Sequence, residues 1–311
     1  MNSKEIQRRI KGIKNTKQIT KAMEMVAASK MRKAIERVLT TKPYAHLAWE
    51  MLSNLSDKVN PELHSLLQKR EIKKIGIILI TSDRGLCGAM NIQVIQKAIK
   101  VTEEECKKKI KKPEIEFITI GKKGQDFIKK YFKISAEFTK LESISKLTEI
   151  TPIVKIAIQD YQKKIYDKII LIYTDFISTL KQEPIVKQLL PLKQEEFKKT
   201  LDKINSLEQT KNQSACQQKE TATNSQFEYK FEPSPDEVLK ELLPKLLEIQ
   251  IYQALLESNA SEHCARMVAM KNASDAAKDL IDNLSIFFNQ ARQTNITQEI
   301  TEISTGATFS L

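Results

Sequence analysis

The sequence predicts an α/β domain combined with a long antiparallel coiled coil, in which the N- and C-terminal helices form a projecting shaft. A central, mainly parallel sheet with helices over it completes the expectation. Three observations carry it. Among 311 residues there are only 7 glycines, and none lies between Gly124 and Gly306. So long a stretch without the usual turn-former argues for long helices and against a β-sandwich or barrel. Both chain ends show one helical stripe of apolar residues. The stretch between them alternates β-branched runs with helical patterns, the mark of a parallel sheet covered by helices.

In the first segment, apolar residues fall at Ile6, Ile10, Ile13, Met23, Val26, Met31, Ala34 and Val38, with Ile19 and Ala27 filling in. Steps of three and four mark one face of a helix. No proline precedes Pro43, and Gly12 is the weak point. At 1.5 Å per residue, residues 3–38 alone span roughly 54 Å. Residues 75–80, 115–120 and 168–173 are short β-branched runs, and 134–138 is a shorter candidate strand. Helical patterns around 91–109, 122–131 and 151–164 separate them. Residues 193–226 then turn to Lys, Gln, Glu, Asn, Ser and Thr. Such a stretch buries too little apolar surface to fold alone, so its later part reads as a mobile insertion, with a short helix over 194–205.

The last segment opens with Ser234-Pro235-Asp236-Glu237, a capping box with Pro at the first helical position. Apolar positions then march through Val238, Leu242, Leu246, Ile249, Tyr252, Leu256, Ala260, Cys264, Met267, Met270, Ala277, Ile281, Leu284, Phe288, Ile296, Ile300 and Ile303. Pro244 is expected to kink the helix and Gly306 to end it. Some 70 residues make a helix of roughly 105 Å, which needs a partner along its length. The first arm is the obvious one. The expected organisation is a coiled-coil helix in 1–60, an α/β domain in 72–232 with the insertion at 194–226, and a coiled-coil helix in 234–311 that pairs with the first.

The formal net charge of +12 is uneven. Residues 1–37 carry eleven Lys/Arg against three acids, while 235–311 carry six against eleven. The arms have opposite signs, yet the whole surface remains basic and suits an acidic partner. The longest apolar run, 75–80 counting Gly76, is far below the ~18 residues of a membrane span. The N-terminus has no secretory h-region. It is basic and amphipathic like a mitochondrial presequence, but its pattern runs straight into the first helix. Cys87, Cys106, Cys216 and Cys264 lack metal-ligand spacing and read as isolated thiols.

Catalytic signatures are missing. There is no Walker A, GxGxxG or HExxH motif, and His46, His64 and His263 are scattered. The turn at 80–91 stands at the carboxyl end of a strand, where α/β sheets usually place ligands. With only Gly85 and Gly88 and no phosphate-gripping Lys, it reads as a tight turn capped by Asn91 or Asp83. No residue is assigned to catalysis, to a cofactor or to a metal. A Rossmann-type enzyme would rest on this turn alone. A nucleic-acid-binding coiled coil is the main alternative, since the basic arm suits phosphates. Against it, the arm lacks interleaved aromatics and the other arm is acidic.

Three stretches go beyond fold class: residues 3–33, from Ser-Lys-Glu-Ile-Gln-Arg-Arg-Ile to Ser-Lys-Met-Arg-Lys; 82–91, Ser-Asp-Arg-Gly-Leu-Cys-Gly-Ala-Met-Asn; and 253–270 continuing to 291–306. Together they resemble the family of gamma subunits of F-type ATP synthases, across nearly the whole chain except about 194–226, which looks longer than that family's usual connection. The resemblance implies a non-catalytic rotor shaft that transmits rotation between the membrane c-ring and a ring of three alpha and three beta subunits, with the epsilon subunit beside its α/β domain. It implies no cofactor, no nucleic-acid partner and no direct membrane insertion. Arg84, Cys87, Arg266, Arg292, Gln293, Thr297 and Glu299 are the partner-contact residues it implies. Arg84 would face an acidic segment of a beta subunit, and the Arg292-Gln293 pair with Thr297 would meet a beta-subunit loop that catches the rotor. Because the match begins by residue 3, the resemblance implies no presequence. It favours the cytoplasmic face of a bacterial inner membrane, with the matrix side of the mitochondrial inner membrane as the alternative. Plastid members of the family carry a regulatory cysteine pair in an insertion; here Cys216 stands alone. The composition of 208–226 yields a direct test. Deleting those residues should leave complex assembly and ATP-driven proton pumping nearly intact, and loss of assembly would show that the insertion packs or binds.

Overall fold

Five strands pair in the order β3-β2-β1-β4-β5 in the computed structural model, which describes residues 3–56, 65–68, 70–107, 112–139, 149–179, 181–192 and 234–309. They are β1 (Lys74–Ile80), β2 (Glu114–Ile120), β3 (Lys133–Phe138), β4 (Lys168–Phe176) and β5 (Gln182–Leu190). The first four run parallel. β5 returns antiparallel to β4. The helices are α1 (Ser3–Ser56), α2 (Met90–Lys107), α3 (Lys122–Ile128), α4 (Thr151–Gln162) and α5 (Pro235–Phe309). The expected strands, including the short one near 134–138, are all present. β5 was not expected, because its sequence Gln-Glu-Pro-Ile-Val-Lys-Gln-Leu-Leu mixes charges with a proline. Pro184 fits there because β5 is an edge strand. The 208–226 stretch and the 194–205 helix lie outside the described residues.

The chain divides into two compact units. One comprises Met31–Gly85 and Ala89–Glu262. β1 is buried on both faces, and its side chains sort by parity as a pleated strand requires. Ile75, Ile77 and Leu79 join Val94, Ile95 and Ala98 of α2. Ile78 and Ile80 join Ile153, Val154 and Ala157 of α4 and the stretch of α5 from Leu239 to Leu255. Two glycines make room at close approaches. A Cβ on Gly76 would stand 3.3 Å from the Tyr166 ring. Gly121 has φ +104°, and a Cβ there would lie 2.3 Å from the Thr81 carbonyl oxygen, so no other residue fits.

The other unit comprises Met1–Lys30, Leu86–Gly88 and His263–Leu311. The helices run antiparallel, since low numbers in α1 go with high numbers in α5. Residues 1–30 group with 263–311. Farther along α1, Ala34, Ile35 and Val38 pack with Tyr252, Leu256 and Ala260. Ile6, Ala27, Ala34 and Val38 are buried, but Ile19 and Val26 are exposed, so the expected stripe of α1 is narrower than its apolar residues. α1 also continues through Pro43 to Ser56.

α5 begins as expected, with the Glu237 N–H donating to Ser234 Oγ at 3.3 Å. It is helical through Pro244. It also passes Gly306, the expected stop, and ends at Phe309; a lone glycine costs a helix only about 1 kcal/mol. Ile296, Ile300 and Ile303 are exposed rather than packed. Among the described residues, every side chain of α5 from Arg292 to Ser304 is exposed.

One buried carboxylate on β2 joins its neighbouring strands through cations that stay partly exposed. Glu116 is 5% exposed, and its carboxylate accepts from Lys133 Nζ at 2.6 Å and from the Tyr166 hydroxyl at 2.8 Å. Lys74 Nζ stands 3.8 Å away. The hydrogen bond from Lys133 outweighs burial and holds this carboxyl below the usual glutamate range. A depressed folded-state value stabilises the fold above the unfolded pKa and loses that contribution as pH falls through the folded one. Glu116→Gln should therefore lower stability by about 1–3 kcal/mol at pH 7. Urea titrations at pH 7 and pH 3 should show the difference from the parent chain shrinking in acid; an equal difference at both pH values would contradict it.

Candidate functional site

The turn after β1 is built by its own polar groups. The Thr81 N–H donates to the Ile120 carbonyl at 2.8 Å, extending the ladder one residue past the strand. The Ser82 N–H donates to Asn91 Oδ1 at 3.0 Å, and Asn91 Nδ2 donates back to Ser82 Oγ at 2.7 Å. Ser82 Oγ in turn donates to the Arg84 carbonyl at 2.6 Å. Asn91, already inside α2, thus locks the turn rather than capping the helix. Asp83 does cap a helix, but a different one: its Oδ1 accepts the N–H of Lys122 at 2.9 Å, the first residue of α3. Gly88 takes a left-handed φ of +59° as expected, whereas the second left-handed residue is Leu86, at +64°, and not Gly85. A leucine held in that conformation costs about 1–2 kcal/mol. The cost is met by the turn's closed hydrogen-bond set. Arg84 is exposed on the outside of the turn.

Within the coil unit, Cys87 is buried while Leu86 beside it is exposed. Arg266 is half-buried on α5, one turn from buried His263, with Nη1 3.4 Å from His263 Nδ1. An arginine only donates, so Nδ1 is the acceptor. Farther along, every described side chain from Arg292 to Ser304 is exposed. The Thr297 hydroxyl donates to the Gln293 carbonyl at 2.9 Å, and Thr294 and Thr301 bond back one turn in the same way. Their hydroxyls are engaged with the backbone of their own helix.

The structure does not gather the seven predicted residues into one site. Arg84 belongs to the α/β unit, and the other six to the coil unit. Gln293 and Thr297 share a face, as their spacing implied, and Arg292 and Glu299 share another, seven residues apart. Arg266 and Arg292 are roughly 39 Å apart along α5. Among the described residues no group of three His, Cys, Asp or Glu side chains is placed to hold a metal ion, and no helix is long and apolar enough to cross a membrane. Sequence reasoning missed the interlock of Ser82 with Asn91 and a buried carboxylate, Glu257. Glu257 stands in a run of α5, 254–264, that is buried at every position, where an acid must have partners, but the run's own sequence, rich in Ser, Asn, Glu and His, does not announce that burial.

The fold defines a class: a chain with an α/β unit and a unit built from its two long terminal helices. The comparisons with known proteins are specific. A family model described as ATP synthase matches residues 2–308. The ATP synthase gamma chain of Chloroflexus aurantiacus is 41% identical over 98% of both chains, and that of Legionella pneumophila is 39% identical over 98% of both. The long connection at 194–226 lies inside that matched length. Among solved structures, a chain of the Euglena gracilis mitochondrial ATP synthase (OSCP/F1/c-ring, rotational state 3) gives a TM-score of 0.63 at 18% identity, covering 98% of this chain and 93% of that one. A Tetrahymena thermophila mitochondrial central-stalk/c-ring structure gives 0.56 at 24% identity, over 82% of this chain and 99% of that one. This chain belongs to the ATP synthase gamma-chain family and is a component of that ATPase complex. No comparison favours the nucleic-acid reading.

Proposed function

We propose that this chain is the central-stalk rotor subunit of a proton-translocating F-type ATP synthase. It transmits rotation between the membrane c-ring and the catalytic ring of three alpha and three beta subunits. The helices of 1–60 and 234–311 are the shaft, and residues 72–232 form the part beside the epsilon subunit and the c-ring. The observation that carries this reading is the exposed end of α5. A helix that stays ordered while every described side chain from Arg292 to Ser304 faces outward offers that surface to something else. The gamma chain does no covalent chemistry in this reading. In support, the 80–91 turn spends its polar groups on itself and on the neighbouring backbone. The complex works at the cytoplasmic face of a bacterial inner membrane or, alternatively, at the matrix side of a mitochondrial one. Co-purification with alpha and beta ATPase subunits, rather than with nucleic acid, tests the assignment.

The contact residues follow from exposure and chemistry. Arg84 is exposed on its turn and suits an acidic segment of a beta subunit; Cys87 and Arg266 are the further contacts along the shaft. Arg292, Gln293, Thr297 and Glu299 form the catch near its end. Arg84→Glu should impair coupled ATP hydrolysis while leaving the isolated chain folded, by circular dichroism. Unchanged coupling would remove Arg84 from the interface.

The catch and the tip should differ. Residues 303–311 carry no charge, which suits a bearing, because fixed ion pairs would have to break at each step. Hydrogen bonds to charged groups are worth about 1.5–3 kcal/mol each. Replacing Arg292 and Gln293 together by Ala should therefore reduce proton pumping and complex yield far more than removing 306–311. Equal or reversed severity would refute the catch.

A further inference from the structure

A shaft can deliver torque only if it is fixed to the body that is driven. The stretch of α5 packed on the sheet is fastened by polar bonds as well as by apolar packing. Gln253, Glu257 and Ser261 recur every four residues and share one helix face. Glu257 is 8% exposed and Tyr173, on β4, is 5% exposed. The Tyr173 hydroxyl donates to Glu257 Oε2 at 2.9 Å, and Gln253 Nε2 donates to Oε1 at 2.9 Å. One turn on, buried Ser261 Oγ donates to the carbonyl of Thr174, the next residue of β4, at 3.4 Å. Ala34, Val38 and Phe176 close the neighbouring apolar patch against Leu256 and Ala260, so α1, α5 and β4 meet here.

We propose that Glu257 and Tyr173 form a clasp that locks α5 to strand β4 against slip, and that they are positioning residues for torque transfer. Apolar packing resists separation but is non-directional, so it resists sliding and rotation of a smooth helix poorly. A hydrogen bond to a buried carboxyl group is directional, and breaking it leaves the buried oxygen that faces β4 without its donor. That makes the joint stiff in the direction in which a turning shaft loads it. Other charges face Glu257 too. Asp175 on β4 raises its pKa, second only to burial, while Lys187 on β5 opposes that shift. The two bonded donors and Lys187 favour the charged form, against burial and Asp175, and the balance leaves this carboxyl above the usual glutamate range.

The inference rests on the rotor reading above, and the test separates the two. Glu257→Ala, Glu257→Gln and Tyr173→Phe would be introduced into the whole ATP synthase complex. Complex yield, ATP hydrolysis and ATP-driven proton pumping would be measured on the same membranes. Glu257→Ala should assemble and hydrolyse ATP, with pumping per ATP reduced roughly tenfold, the factor carried by one lost hydrogen bond to a charged group when locked and slipped forms interconvert. Glu257→Gln still accepts from Tyr173 and should stay near the parent ratio. Tyr173→Phe keeps the ring packing and should reduce the ratio in the same direction as Glu257→Ala, which covers the case in which the alanine variant fails to assemble. A merely structural role would lower yield and leave pumping per ATP unchanged; that result in Tyr173→Phe overturns the clasp. A parent complex that hydrolyses ATP without pumping would overturn the rotor reading itself, and the clasp with it.

Discussion

A 75-residue helix has far more surface than a chain of this size can cover, and the rest of the structure follows from how that surface is shared out. α5 spans roughly 112 Å at 1.5 Å per residue. From Leu239 to Leu255 it packs into the core built on the sheet and α4. Around Leu256 and Ala260 it adds α1 as a neighbour. Farther on, its buried residues thin to Met270, Ser274 and Ala277, and from Arg292 nothing in the described chain covers it. Burial therefore falls in steps along one continuous element. The most buried stretch holds the helix, and the least buried one stays exposed.

The coil is made with small residues. Ala27, Ala34, Ala260, Ser274 and Ala277 are all buried, and short side chains let two backbones approach. Larger apolar residues such as Ile19, Met25 and Val26 face outward instead. The ion pairs described on α1 follow the same economy of reach. Arg9 pairs with Glu5, and Lys21 with Glu24, each within the helix and near solvent. Such pairs are worth well under 1 kcal/mol. The opposite net charges of the two arms therefore act as a field that favours their association, rather than as a set of locks.

The element order was legible in the sequence because period and punctuation agreed. Scarce glycine, one-sided stripes and β-branched runs pointed to the same fold, and every expected strand is found. The failures have physical causes. β5 was missed because an edge strand tolerates Pro184 and charges that a central strand does not. Ile296, Ile300 and Ile303 continued the apolar period, but periodicity identifies a face without saying what covers it. At the 80–91 turn the glycines were visible, yet the left-handed conformation fell on Leu86 because Ser82 and Asn91 close the loop from outside it. Such a contact is nine residues long in sequence and has no local signature.

Exposure at the end of α5 and burial at Glu257 are two sides of one mechanical requirement. A helix bonded along its whole length would be strong but could not turn in a sleeve. One bonded nowhere would turn but deliver nothing. The chain separates these demands along the sequence. Glu257 and Ser261, eight and twelve residues beyond Ile249, bond to β4 in a dry environment where hydrogen bonds are stiff. Thr294, Thr297 and Thr301 turn their hydroxyls back to carbonyls of their own helix. Ile300 and Ile303 stand on the same uncovered stretch, Ile303 at 73% exposure. A surface whose polar groups are already satisfied within the helix can slide past a partner without bonds that must be broken and remade at each step. Arg292, Gln293 and Glu299 interrupt that surface with long, exposed polar side chains.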